Sequence, residues 1–212
     1  MLLIRWHGHS CFEITDDTIL VTDPHDGKSI GIPTPLVSAD IILVSHDHYD
    51  HNSVKTVEKE GTKIITDGRK KNIGDITIKG FASFHDEVQG SKRGENIMYK
   101  VTIDDISFLH LGDLGHTLDD KTIESIEQVD ILFIPVGGTY TIDAHTAWGI
   151  ISKLKPKIVI PMHYKIEGLS LPIATVDEFL EQSSYPVLRV GNEIDIEKNE
   201  LPEEPEVWVF TL

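Results

Sequence analysis

Asp40-Ile41-Ile42-Leu43-Val44-Ser45-His46-Asp47-His48-Tyr49-Asp50-His51 is the stretch on which the reading of this 212-residue chain turns. Its first half is an apolar, β-branched run and reads as a buried strand. Its second half places three imidazoles and two of its three carboxylates within the six residues His46 to His51. A hydrophobic core has no use for such a set, and a solvated face does not need it. Metal binding does, because neutral imidazole and carboxylate are ligands for zinc, manganese, iron and nickel. On an extended segment His46 and His48 point the same way and can reach one ion. Asp50 and His51 lie further round the turn and can face a neighbouring ion.

Other segments return to the same kind of position. His85 follows the alternating run Ile76 to Phe84, Asp113 follows Ile106 to Leu111, and His163 follows the buried run Lys157 to Pro161. Each candidate ligand ends an apolar strand, so all can meet at one rim of the sheets.

Around these runs the chain reads in order. An antiparallel meander covers residues 2–22, and an irregular loop covers Asp23 to Pro35. A short helix is expected from Asn52 or Ser53 through Glu60, with Gly61 ending it. Asp67 to Asp75 reads as a polar loop with a basic patch, Arg69-Lys70-Lys71. Leu118 to Val129 and Ala144 to Lys155 have helical periodicity, the second capped by Asp143, and Thr175 caps a short helix to about Glu181. Three strand-like runs close the chain: Pro186 to Val190, Glu193 to Ile196 and Glu206 to Thr211. Strands dominate the first half, and strand–helix alternation follows Asp113. The fold class expected is α+β: two mixed sheets face to face with helices outside, in one domain spanning 1–212.

Composition narrows the function. Lys plus Arg total 19 against 35 Asp plus Glu, a net charge of −16. No nucleic-acid partner is expected, since phosphate backbones need a basic footprint. A small anionic substrate remains compatible, because bound cations invert the local sign. The single cysteine, Cys11, sits in an apolar pattern and leaves the fold independent of oxidation. No basic leader or membrane-length apolar run is present, so no membrane partner and a cytoplasmic setting are expected.

The motifs resemble a known family. His46-x-His48-x-Asp50-His51, followed in order by His85, Asp113 within Leu111-Gly112-Asp113, and His163 within Pro161-Met162-His163, is similar to the ligand signature of the metallo-β-lactamase fold superfamily. Trp6-His7-Gly8-His9-Ser10-Cys11-Phe12 and Thr22-Asp23-Pro24 resemble more specifically the branch of ascorbate-6-phosphate lactonase-like proteins and metal-dependent hydrolases. The resemblance implies a four-layer αββα sandwich and two divalent metal ions, zinc first, with manganese, iron or nickel also suited. It implies that His46, His48 and His85 hold one ion, that Asp50, His51 and His163 hold the other, and that Asp113 bridges them. Catalysis would use hydroxide held between the ions to attack a small-molecule ester, lactone or phosphoester, with Asp50 and Asp113 central.

Outside the ligand set, Asp23 is the candidate carboxylate behind the ligands, against an Asx turn before Pro24. His9 matches the family's Gly-His-Ser element and is expected beside the site. His116 is the candidate proton donor to the leaving group. Asp143 and His145 could line the cleft, although capping by itself accounts for Asp143. His110 reads as a packed, hydrogen-bonded core histidine, and Lys92, Arg93 and Lys165 as possible anchors for an anionic group. Three rival functions fit the same motif. They are a nuclease or phosphodiesterase of this fold, a di-iron redox enzyme (disfavoured because such members carry Glu where His48 stands), and a non-catalytic metal-dependent binding protein.

Overall fold

The computed structural model describes residues 1–212 and holds fourteen strands and three α-helices. Strands β1 (Leu2–Trp6), β2 (Phe12–Thr15), β3 (Ile19–Thr22), β4 (Ala39–Leu43) and β5 (Glu58–Ile65) open the chain. Next come β6 (Lys71–Ile73), β7 (Ile76–Phe84), β8 (Glu95–Ile103) and β9 (Ile106–His110). The alternating part follows: α1 (Asp120–Ile126), β10 (Ile131–Pro135), α2 (Ala144–Leu154), β11 (Ile158–Met162) and α3 (Asp177–Leu180). Strands β12 (Val187–Arg189), β13 (Glu193–Ile196) and β14 (Glu206–Val209) end it.

Two mixed sheets result, ordered β13-β1-β2-β3-β4-β5 and β12-β14-β11-β10-β9-β8-β7-β6. The side-chain patterns explain the layering. In β1, Leu2, Ile4 and Trp6 are buried while Leu3 and Arg5 are half-exposed, the period-two signature of a sheet with one covered face. In β10 and β11 every residue is buried, as parallel strands covered on both faces require. One cluster of 48 buried residues draws on both sheets. Within it Phe12 of the first sheet meets Phe133 of the second at 4.5 Å between rings.

The crossovers β9-α1-β10 and β10-α2-β11 join parallel neighbours, and such connections place their helices on one face. Trp148 of α2 stacks on Phe179 of α3 at 4.7 Å and donates to its carbonyl, completing that outer layer. Over the first sheet the helical layer is reduced to a 3-10 turn, Val54–Thr56. A small apolar cluster, Cys11, Val21, Ala39, Ile42, Val44 and Val57, lies on that side. None of the helices is long and apolar enough to cross a membrane.

Several expected boundaries move. The helix expected from Asn52 or Ser53 to Glu60 is only the 3-10 turn, and β5 already begins at Glu58. Val54, Thr56 and Val57 are β-branched and resist a longer helix, and Gly61 lies inside the strand at φ +88° rather than ending a helix. The polar loop 67–75 contains the short strand β6. Helix α1 is shorter than its periodic run and is capped by Asp119. Thr175 does not cap α3: its hydroxyl meets the Asp177 side chain instead.

Asp130 shows how the second sheet is pinned. Its buried carboxylate accepts from Ser107 N–H and Oγ and from Lys198 Nζ, each at 2.9 Å. Burial opposes its charge, but Lys198 and Ser107 prevail and hold the carboxyl below its ordinary value. A depressed carboxyl adds stability above its unfolded value, and that contribution is lost as pH falls through the folded value. Asp130→Ala should therefore cost about 1–3 kcal/mol in urea unfolding at pH 7. The deficit should shrink in the acid range below about pH 4.

Candidate metal centre

Strands β1, β4, β7, β9 and β11 all point their C-terminal ends to one rim. β1 and β4 run parallel through β3, and β7 runs parallel to β9 through β8. Open sheets bind ligands outside their strands' carboxyl ends, where loops can converge. The two sheets are tied together there. Tyr99 Oη donates to Val44 O at 3.1 Å, and Ile97 N–H donates to Ser45 O at 2.9 Å. Gly112 makes the closest approach possible: at φ +56° a Cβ would meet Asn96 Oδ1 at 2.4 Å and Ser45 Cβ at 2.6 Å. Asn96 then braces the next residue by accepting from Asp113 N–H at 2.9 Å, while its own amide donates to Ser83 Oγ and Leu111 O.

At this rim Asp113 is 2% exposed. Its Oδ2 lies 3.2 Å from Nε2 of His51, His85 and His163 and 3.8 Å from Nε2 of His46. Two groups of donors flank it, each with ligand atoms within 4.8 Å of one another: His46, His48 and His85 on one side, and His9, Asp50, His51 and His163 on the other. The fit to cations rests on what these buried atoms lack. His51 Nε2 and Asp113 Oδ1 have no hydrogen-bond partner in the protein, a state that buried polar atoms rarely tolerate without a ligand.

Electrostatics agree. Burial and the neighbouring His51 push His46 down to about 3, so its ring is neutral and its lone pair available. His51 moves the other way: burial opposes its charge, but Asp113 and Asp23 raise it well above the ordinary imidazole value. The Asp113 carboxylate thus demands a positive neighbour, which a divalent ion would supply more fully than a proton.

Asp23 orients the rings from behind. Its Oδ1 accepts from Ser45 N–H at 2.7 Å, and its Oδ2 accepts from Ser45 Oγ at 2.7 Å and from His51 Nδ1 at 3.0 Å. Ser45 Oγ in turn contacts His46 Nδ1 at 2.9 Å. One carboxylate therefore fixes two imidazoles with Nε2 facing Asp113. His9 is fully buried, with Nε2 3.1 Å from Asp50 Oδ2, and its carbonyl accepts from Trp6 Nε1 and His163 N–H. His9, Asp23 and His163 all sit in the left-handed region, at φ 54°, 39° and 52°. Non-glycine residues there hold strain that functional sites commonly store.

The structure does not bring every candidate here. His116, expected as proton donor, has its Nδ1 2.7 Å from Thr117 O, and its Nε2 accepts from Phe84 N–H at 3.1 Å. With both nitrogens engaged it braces a turn and lines a separate hollow that also holds Asp143. Asp143 caps α2 by accepting from Thr146 N–H at 2.8 Å, and His145 is exposed on the first turn of that helix; neither lines the cleft. Lys165 is spent on the carbonyls of Leu169 and Leu171. His110 packs in the core between Ser10 O and Gly112 N–H.

A cleft of about 350 Å³ opens over His48, Asp50, His85, Asp113 and His163, walled by Tyr49, Lys92, Arg93, Tyr140 and Leu171. Sequence reasoning named neither Tyr140 nor Leu171 as a cleft wall. Nothing local marks these residues. They reach the cleft through long-range contacts such as Thr139 Oγ1 donating to Pro172 O.

Fold and site together define a protein with a buried His/Asp cluster able to bind metal between two sheets, and comparison with known proteins agrees. The Beta-lactamase superfamily domain matches residues 3–163, and the chain belongs to that family. A UPF0173 metal-dependent hydrolase of Thermoplasma volcanium is 31% identical over 76% of this chain and 82% of its own. A Thermotoga maritima structure, a candidate Zn-dependent hydrolase of the metallo-beta-lactamase superfamily, is 35% identical with a TM-score of 0.82, covering 99% of this chain and 98% of that one. A Streptomyces venezuelae diiron beta-hydroxylase shares the fold alone, at 16% identity and a TM-score of 0.58, over 79% of this chain and 46% of its own.

Asp23→Ala should free both His51 and Ser45 and lower metal affinity about 10- to 100-fold in chelator competition. Retained affinity would show that the rings are oriented by packing alone.

Proposed function

We propose that this chain is a metal-dependent hydrolase that takes a small-molecule ester, lactone or phosphoester. The observation that carries the reading is the convergence of four imidazole Nε2 atoms on one buried carboxylate oxygen, Asp113 Oδ2, at the floor of a cleft. His46, His48 and His85 would hold one divalent ion, Asp50, His51 and His163 a second, with Asp113 between them. The absence of thiolate from this set suits zinc, manganese, iron or nickel. Bound there, such ions would supply Lewis acidity, which lowers the pKa of water from about 15.7 toward about 7, so hydrolysis would need no serine or cysteine nucleophile.

The chain's own groups do the rest. Asp23 and Ser45 keep His51 and His46 in one tautomer each. His9 holds Asp50, which lines the cleft. Tyr49, Tyr140 and Leu171 form an aromatic and apolar wall that excludes water from one side of a bound substrate. A cleft of about 350 Å³ has the size of a small-molecule site, which supports a small molecule as substrate.

Protein purified without added metal should contain up to two ions per chain by elemental analysis. Chelation should abolish hydrolysis across an ester, lactone and phosphodiester panel, and metal should restore it. Asp113→Ala should lose metal and activity together. Undiminished hydrolysis after stripping, or unchanged metal stoichiometry in Asp113→Ala, would sink the reading.

A further inference from the structure

Asp86 follows His85 and is 1% exposed. Its Oδ1 accepts from the N–H groups of Val88 at 2.9 Å and Gly90 at 2.8 Å. Its Oδ2 accepts from the N–H groups of Lys92 and Arg93, both at 2.8 Å. One carboxylate therefore closes residues 86–93 into a fixed loop and delivers Arg93 to the cleft wall. Arg93 also lines an adjoining hollow of about 380 Å³ reached past His46 and His48, so it stands between two spaces beside the metal-binding residues.

The guanidinium is under-used where it stands. It lies 5.5 Å over the Tyr140 ring and makes one long hydrogen bond, 3.3 Å, to Thr139 O. No ion pair with a carboxylate forms, although the chain holds 35 acidic residues against 19 basic ones. Arg5 is paired with Glu13 and Glu193, and Lys92 beside it with Glu87 at 2.9 Å. Arg69 and Arg189 form no ion pair but are exposed, where water satisfies them. Arg93 is half-buried, aimed into a cleft and stacked on an aromatic ring. A planar fork in that state is matched by an oxyanion, which it can grip through two parallel hydrogen bonds.

We infer that Arg93 determines specificity by taking a terminal oxyanion of the substrate, a carboxylate or a phosphate, and that Asp86 is the residue that positions it. What is done to that substrate rests on the hydrolase reading; the binding does not. The cleft is then a cation-rich pocket in an acidic protein, and the acidic exterior limits non-specific anion binding elsewhere.

The test uses the metal-loaded full chain and three probes. Two are 4-nitrophenyl esters that differ in the tail, neutral butyrate and carboxylate-ended glutarate. The third is phenyl phosphate, followed by calorimetry. Arg93→Gln should lower the glutarate-to-butyrate ratio of kcat/KM about 10- to 100-fold, through KM, or weaken phenyl phosphate binding by a similar factor. The probe that moves tells carboxylate from phosphate. Arg93→Lys should recover part of the loss. Asp86→Ala should reproduce the Arg93→Gln shift with metal content unchanged, and Asp86→Asn should fall between it and the wild type.

A ratio and an affinity both untouched by Arg93→Gln would overturn the assignment of Arg93. Discrimination preserved in Asp86→Ala would overturn the positioning role. If the loaded wild type cleaves neither ester, nor any member of the lactone and phosphodiester panel, while Arg93→Gln still weakens phenyl phosphate binding, the hydrolase reading fails and the anion site stands.

Discussion

Asp113 carries a charge that the fold has buried, and much of the structure around it is arranged to make that tolerable. A carboxylate at 2% exposure is costly unless it is compensated. Four imidazoles crowd one of its oxygens, and the other has no partner at all. The convergence of five strand ends, the brace from Asn96 and the close approach at Gly112 all serve to hold that group still. Three left-handed residues, His9, Asp23 and His163, add strain of about 1–3 kcal/mol each, offset by the large shared core of the two sheets.

The site divides into a floor and walls with different physics. The floor is made by strand ends and by hydrogen bonds that reach across the two sheets, such as Tyr99 to Val44 and Ile97 to Ser45. The walls are loops tied to one another rather than to the sheets. Arg93 donates to Thr139 O, Thr139 donates to Pro172 O, and Lys165 donates to Leu171 O. A rigid floor sets the kind of chemistry, and interchangeable walls set the molecule it acts on.

The buried carboxylate and the loop carboxylate make an instructive pair. Asp113 is surrounded by rings and lacks hydrogen-bond donors to one oxygen, so it favours a cation. Asp86 accepts four backbone N–H groups and is satisfied within the protein. Both follow strands of the same sheet at the same rim. Their partners, not their residue type, separate a candidate metal-facing group from a loop clamp.

Two mixed sheets were legible in the chain because apolar periodicity survives in any local window: period two in β1 and β7, unbroken runs in β10 and β11. The candidate ligand positions were legible for a related reason. Histidine and aspartate directly after buried runs are costly unless used, so His46, His48, His85, Asp113 and His163 stood out. Asp23 was readable too, since its neighbours Thr22 and Pro24 mark a strand end. The helix expected at 53–60 failed because Val54 and Val57 are drawn to an apolar cluster outside the first sheet, which no local pattern announces. His116, Asp143 and His145 had the right chemistry in the right stretch of chain, but hydrogen bonds to Thr117, Phe84 and Thr146 or simple exposure take them elsewhere. Sequence by itself determined most of the strands and the candidate metal-binding residue types, because these follow from local composition and spacing, and its likeness to a known family supplied the reaction class. Only the tertiary structure decided which imidazoles face Asp113 and which loops wall the cleft. It alone left Arg93 without an acidic partner, because those outcomes depend on contacts between residues tens of positions apart.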